Sequence, residues 1–429
     1  MGSGRKHVPA AGLGLLVAAG IAVAALSPDD QAQAPNFEVD PFWPKPLPGN
    51  WLLGSVMGVA VDARDHVFVV HRMDSFNART ETGATSDPPI AECCASAPAV
   101  LEFDPEGNLA GSWGGPGQGY TWPAENHGIA VDPQGNIWIG GSGGTDTHLL
   151  KFARDGRFIA EVGRVASGGA AAGAGGGAGG DTATAGRAGR GGRGGRGRGR
   201  GAAPALPAAS TSTDAFGGAT RVSFDAGAGE AFVADGARNR RVAVVDINTG
   251  AIKRFWGAYG ERPQDGDQTA YAPGGTPARQ FGNPVACAQV SSDGMVYVCD
   301  RSNDRIQVFR TDGTFVTEKA ILPRTLGDGS VWDIALSRDP QQRFLYVADG
   351  MNMKVHILDR QSLDVLATFG TGGRQPGQFS AVHSIAVDSN GNVYTGEAFE
   401  GKRVQRFNYR GMGPVTQANR GVLWPDTAR

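Results

Sequence analysis

Apolar and polar positions alternate along most of this chain in short runs broken by Asp-Gly and Gly-Asn turns. That is the period-two pattern of strands with one buried face. The same unit recurs six times: an apolar strand, a tight turn, a second strand ending in a polar pair, then an Arg-Ile-Gln-Val-Phe-like strand and another turn. The clearest copies are AVDPQGNIWIGG (130–141), VSSDGMVYVCDRSNDRIQVFRTDGTFV (290–316) and IAVDSNGNVYTGEAFEGKRVQRF (385–407). Fainter ones lie at 59–72, 222–246 and 334–358. Four short strands per unit, repeated at this spacing, predict an all-β, six-bladed β-propeller. First strands are expected to start near Val56, His127, Thr220, Val285, Trp332 and His383. The last two intervals approximate a bare blade. The earlier ones carry insertions at 73–98, 164–217 and 258–282. A propeller removes its exposed edges by closing the ring, and Phe37–Val39 is the expected closing strand of a propeller spanning 36–429.

Residues 166–213 break the pattern. They are almost all Gly, Ala, Arg, Ser and Thr, too poor in apolar area to offset the entropy of ordering, and are expected to be disordered. Residues 164–213 hold seven arginines against one aspartate, although the chain as a whole carries only −2. That average gives no global attraction to nucleic acid, while the basic insertion reads first as a tolerated insertion without function and next as a flexible loop touching anionic cell-surface polymers. At the N-terminus, Arg5, Lys6 and His7 precede an apolar run from Ala10 to Leu26 and then Ala-Gln-Ala at 32–34. This is the layout of a signal peptide over 1–34 and predicts a secreted or periplasmic protein, the alternative being an N-terminal membrane anchor with an extracytoplasmic propeller. Pro35 disfavours a cut directly after Ala34, so an earlier site fits better.

The four cysteines suit an oxidising compartment. Cys287 and Cys299 fall on the two strands flanking the turn Ser291–Gly294, which leaves a cross-strand disulfide or two buried thiols. Cys93 and Cys94 are adjacent and can pair locally only with each other.

In a blade, the start of the first strand and the end of the second share one rim near the axis. Those positions bring together His71, Arg72 and Asp74 (blade 1), His127 (blade 2), Arg301 (blade 4), Trp332 and Asp333 (blade 5), and His383 and Glu397 (blade 6), with His148 nearby. Imidazoles converging from several blades make a metal-site geometry, with zinc the expected ion. Bland roles compete at other positions. Asp235, Asp300 and Asp349 recur at one blade position and are expected to bond turn amides. Arg241, Arg305 and Lys354 are expected to pair between blades, and Trp332 to pack the channel.

The segments FVVHRMD (67–73) with Asp74, NHGIAVDPQGN (126–136), VADGARNRRV (233–242), CDRSNDRIQVF (299–309) and VHSIAVD (382–388) resemble an NHL-repeat propeller. Within that group they are similar to the peptidyl-α-hydroxyglycine α-amidating lyase domain (peptidylamidoglycolate lyase), over roughly 52–410 outside the insertions. The resemblance implies a zinc held by three histidines from three blades, a tyrosine base after Asp-Gly, two arginines flanking the substrate, and cleavage to a peptide amide and glyoxylate. Here His127 and His383 stand at two zinc positions, and Arg72 and Arg301 at both arginine positions. The third histidine position falls at Val285 or Ala286, leaving Cys287 or His71 to supply a third ligand. Ala237 replaces the tyrosine, so a carboxylate such as Asp74, Asp333 or Glu397 would have to serve as base. Ser384 stands where the family has an aspartate, which puts its structural calcium in question. The resulting expectation is a secreted module binding a small polar or peptide ligand, or an extracytoplasmic protein or glycan. The alternative is a divergent metal-dependent lyase or hydrolase, and a working amidating lyase ranks last.

Overall fold

A computed structural model describes residues 33–86, 90–163, 210–266 and 270–415, together with 1–2 and 4. The apolar leader run and most of the basic insertion lie outside the described residues. Six four-stranded antiparallel sheets form the ring. Blade 1 comprises Val56–Val61, Val67–His71, Val100–Phe103 and Leu109–Trp113. Blade 2 comprises Asn126–Val131, Ile137–Gly141, Leu149–Phe152 and Phe158–Val162. Blade 3 is built from Ala219–Asp225, Glu230–Asp235, Arg241–Asp246 and Ile252–Trp256, and blade 4 from Val285–Val290, Met295–Asp300, Arg305–Arg310 and Phe315–Ala320. Blade 5 contains Asp333–Leu336, Phe344–Asp349, Lys354–Asp359 and Val365–Phe369. Blade 6 takes Val382–Val387, Val393–Glu397 and Val404–Pro414 from the C-terminal part, and its outermost strand from Gln33–Asp40. Each innermost strand lies against the next, and that of blade 6 against that of blade 1. The six-bladed propeller is thus the architecture, with separate apolar clusters between neighbouring blades.

The closing strand contains the expected Phe37–Val39, which pair with Tyr409, Asn408 and Phe407. Phe37 and Val39 are buried against Tyr346, Phe369 and Phe407. The strand begins at Gln33, so Gln33 and Ala34, inside the span 1–34 read as a leader, pair with Pro414 and Gly413. Among the described residues no helix is long and apolar enough to cross a membrane.

An acidic clasp recurs at the end of the second strand in blades 3 to 6. Asp235 accepts from the Gly217 amide at 2.6 Å and from the Arg241 guanidinium at 2.8 Å. Asp300 does the same with Gly282 at 2.7 Å and Arg305 at 2.7 Å, and Glu397 with Ser380 at 2.7 Å and Arg403 at 2.6 Å. Asp349 takes the Asn352 amide at 2.9 Å and His356 at 2.9 Å. The amide-binding role expected of these aspartates holds. Pairing of Arg241 and Arg305 between blades does not: both bond the acid on the adjacent strand of their own blade, because strand pairing sets Asp235 opposite Arg241 and Asp300 opposite Arg305. In blade 5 His356, not Lys354, reaches the acid.

The insertion's C-terminal end also departs from expectation. Residues 210–213 are described and packed, since Arg241 donates to the carbonyls of Ser210 and Ser212 at 2.8 and 2.7 Å. The Ser210 amide further bonds Asp265 at 2.9 Å. A buried guanidinium that needs acceptors holds this end of the insertion in place.

Asp235 and Arg241 have no exposed side-chain surface. Asp235→Ala would strand a buried cation and is expected to cost about 3–5 kcal/mol. Arg410→Ala, which breaks a half-exposed pair with Glu38, should cost less than about 1 kcal/mol. Urea unfolding of the two variants checks the contrast.

Candidate functional site

Every innermost strand carries an irregularity just inside the rim. The register slips between Val56 and Gly58, Asn126 and Ile129, Ala219 and Arg221, Val285 and Cys287, and Val382 and Ser384. In blade 5 the Trp332 amide bonds the Ala348 carbonyl at 3.0 Å, while Asp333 is also paired with Ala348. A bulge sets two residues against one and re-aims a side chain. The six bulge positions are Met57, His127, Thr220, Ala286, Trp332 and His383. They ring one mouth of the channel.

His127 and His383 meet there, with ring centroids 4.8 Å apart and planes at 61°. Each is oriented by the next blade along. His127 Nδ1 lies 3.0 Å from the Thr220 carbonyl, and His383 Nδ1 lies 3.1 Å from the Met57 carbonyl. A carbonyl only accepts, so both Nδ1 atoms carry the proton, and in neutral rings Nε2 holds the lone pair. Gly128 makes the first contact possible: a Cβ there would stand 2.2 Å from the Thr220 carbonyl oxygen. Burial holds the His383 imidazole well below the usual histidine range, and the charges of His127, Arg301, Arg72 and Arg221 add to this.

Arg301 lies beside the pair. Its guanidinium sits 4.1 Å above the Trp332 ring, its Nε donates to the Asp328 carbonyl at 2.7 Å, and its Nη2 lies 3.4 Å from the Asp328 carboxylate. Trp332 is buried, bonds the Gly329 carbonyl at 2.7 Å, and meets His383 edge-on at 5.6 Å. It packs the channel as expected, and also supports the arginine. Arg72 is held by the Asn126 carbonyl at 3.3 Å, the Ser142 hydroxyl at 3.1 Å and the Glu125 carboxylate at 3.5 Å.

The other expected ligands are absent from this pair. His71 stands at the clasp position of blade 1, its Nδ1 accepting from the Gly54 amide at 3.1 Å and its Nε2 donating to the Pro98 carbonyl at 2.9 Å. Burial drives its pKa down to about 4. With both nitrogens committed, His71 is a structural residue and no metal ligand. Cys287 is also removed: it pairs with Cys299 directly across the strands, at a Cα separation of 4.8 Å, as a disulfide. Cys93 and Cys94 form the second disulfide. His148 turns to the Thr121 carbonyl at 2.8 Å. Of the two candidates for the third histidine position, Ala286 is the bulge residue, and Val285 is paired with Asp300 in the ladder. Among the described residues no three His, Cys, Asp or Glu side chains are grouped to hold one metal ion. Two imidazoles fall short of the three protein ligands of a catalytic zinc.

Two of the three carboxylates considered as bases are occupied. Glu397 belongs to the clasp and also accepts from Gln405 at 2.7 Å. Asp333 takes the Ser384 hydroxyl at 3.1 Å, the amides of Ile385 and Ile334 at 3.0 Å each, and Arg221 at 3.0 Å. Asp74 is exposed at the rim. Ala237 presents only a methyl group, in contact distance of Gly218.

Arg221 is the residue that sequence reasoning missed. It starts in blade 3 and crosses the axis to blade 6, donating to the Ser384 hydroxyl at 3.0 Å and the Ile385 carbonyl at 3.1 Å. Thus a guanidinium and Ser384 stand together where the resemblance would place an aspartate and calcium. Its residue type in a strand otherwise read as apolar (ATRVSFD) was the available signal.

The fold and this rim define a six-bladed propeller with histidines and arginines at one mouth. In sequence the chain is similar to peptidyl-glycine alpha-amidating monooxygenase B of Xenopus laevis, 26% identical over 377 residues. The match takes in 85% of this chain but only 34% of that protein, so the chain spans about a third of its length. No family model matches. A solved structure of a structural-genomics protein of unknown function from Bacteroides thetaiotaomicron is also similar, with a TM-score of 0.49 and 12% identity over 88% of this chain and 77% of that one.

The pKa of His71 yields a pH prediction. Its folded-state value lies below the unfolded value of about 6.5, so the stability it contributes is complete above pH 6.5 and is lost as pH falls towards 4. The loss amounts to about 3 kcal/mol. His71→Asn should lower stability at pH 7 and flatten the decline between pH 6.5 and 4, as read from urea unfolding at a series of pH values.

Proposed function

We propose that the histidine-bearing mouth is a docking pit for a small ligand carrying a carboxylate, such as a peptide C-terminus, on an extracytoplasmic propeller. One observation carries this reading: Arg301, braced on Trp332, and Arg72 flank the paired imidazoles of His127 and His383. The carboxylates facing these arginines, Asp328 at 3.4 Å and Glu125 at 3.5 Å, are partly exposed. The buried Asp333 is already held by Arg221 and three hydrogen-bond donors. Such a pit favours an anion, and each donor is held in place before the ligand arrives. The imidazoles are oriented by backbone carbonyls, so binding would not require them to reorganise.

A second reading is a divergent lyase. The similarity to an amidating monooxygenase supports it, as does the meeting of two imidazoles at one rim. Against it stand Ala237 in place of a phenol, Ala286 in place of an imidazole, and the occupied state of Asp333 and Glu397. General-base loss alone costs roughly 10²–10⁴-fold in rate.

Calorimetry with an acetylated dipeptide bearing a free C-terminal carboxylate, and with its C-terminal amide, tests the first reading. The acid should bind and the amide should not. Arg301→Ala should weaken the acid roughly 10- to 100-fold, the loss expected for a charge-assisted hydrogen bond. Equal binding of acid and amide would sink the proposal. Release of glyoxylate from a peptidyl-α-hydroxyglycine at about one turnover per second, ordinary enzyme speed, would decide for the lyase, with Asp74→Ala as the next variant to assay.

A further inference from the structure

A cavity lies at the face of the ring opposite the histidines. This cavity has a volume of about 910 Å³, within the range of small-molecule sites. Its walls are the far halves of the innermost strands, including Val59–Val61, Ile129–Val131 and Ile385–Val387. Arg221 lines its inner end and neither imidazole does. The Arg221 bridge to Asp333 and Ser384 therefore stands between this cavity and the histidine-bearing mouth.

The charge around the far chamber is unevenly committed. Its rim carboxylates are all engaged. Asp62 pairs with Arg154 and accepts from the amides of Arg64 and His66 at 2.8 and 2.9 Å. Asp132 pairs with Lys151 at 3.0 Å and bonds Trp138 at 3.0 Å. Asp65 takes the Ser389 amide at 2.8 Å and hydroxyl at 2.6 Å. The arginines are less fully neutralised. Arg338 on the wall directs Nε and Nη2 to a single acceptor, the Val387 carbonyl, at 3.1 and 3.0 Å. A carbonyl satisfies hydrogen bonds but carries no net charge. Arg221 at the floor has one carboxylate partner, Asp333, which it shares with three other donors. Two guanidinium groups thus face a chamber large enough for an organic molecule, one at its end and one on its side.

We propose that this far chamber is a second ligand site, taking a small organic polycarboxylate with one carboxylate on Arg338 and another towards Arg221. Guanidinium groups bind planar carboxylates through two parallel hydrogen bonds, and two of them placed around one cavity favour a ligand with a carboxylate at each end. The site is separate from the carboxylate pit proposed at the other mouth, and single variants at the two ends tell them apart.

The test is calorimetry on the full chain at low ionic strength with citrate, succinate and inorganic phosphate as probes. Citrate or succinate should bind one to one in an Arg301→Gln background, which removes the carboxylate pit at the opposite mouth. In that background Arg338→Gln should weaken it at least 10-fold, and Arg338→Lys should weaken it less. Arg338 is exposed, so these variants should melt at the wild-type temperature in the absence of ligand. Three results would each overturn the proposal: neither carboxylate binds; binding survives Arg338→Gln but is lost in Arg301→Gln; or phosphate binds more tightly than both carboxylates.

Discussion

The bulge in each innermost strand is the constraint on which the functional face depends. An unbroken ladder would alternate side chains between the two blade interfaces, where apolar packing fills the space. Setting two residues against one breaks that alternation at a fixed depth and re-aims the backbone and side chain of one residue per blade. Six blades then contribute Met57, His127, Thr220, Ala286, Trp332 and His383 to one ring. The same geometry brings the backbone carbonyls of Thr220 and Met57 within reach of the neighbouring imidazoles, so the local break in pairing both presents and orients them.

Around that ring the charges follow a division of labour. Acids at the second-strand ends are spent inside their own blades, where each satisfies a turn amide and a basic side chain. They hold the strand ends in register and leave the axis to cations. Arg72 and Arg301 serve one mouth and Arg338 the other, while Arg221 lies between them with Asp333. A lone guanidinium in such a setting would be costly, and the saturated Asp333 is what makes it tolerable. The arrangement explains why the carboxylates that looked available as bases are not.

Much of this was legible in the residues. The repeat predicted six blades, and Phe37–Val39 stood out as an apolar segment ahead of the first repeat that a closing edge requires. His127 and His383 could be brought together because both occupy the same position in their copies of the unit. What stayed hidden depended on contacts between repeats. Arg221 has partners from two other blades, and no local pattern encodes a side chain that crosses the axis. His71 looked like a third ligand because sequence position alone does not show that both its nitrogens face backbone groups. Cys287 required the strand register to be known before its pairing with Cys299 could be chosen over a free thiol. Arg241 was assigned to the wrong neighbour for a related reason: the ladder partner and the blade partner are equally close in a linear reading.

The way the ring is sealed has a consequence for how the molecule is made. Gln33–Asp40 precedes every blade in the chain, yet its ladder partner is Val404–Pro414. On the ribosome this first strand must wait, unpaired, until all six repeats have emerged. The loop joining the two partners is nearly the length of the domain, which places its closure among the entropically dearest of all the contacts. The blades can form one after another from local hairpins, but cooperativity of the whole ring arrives only with this last pairing. Until then Phe37 and Val39, which end up buried, travel as an exposed sticky segment, and a nascent chain arrested before residue 404 would be an open arc with two bare edges.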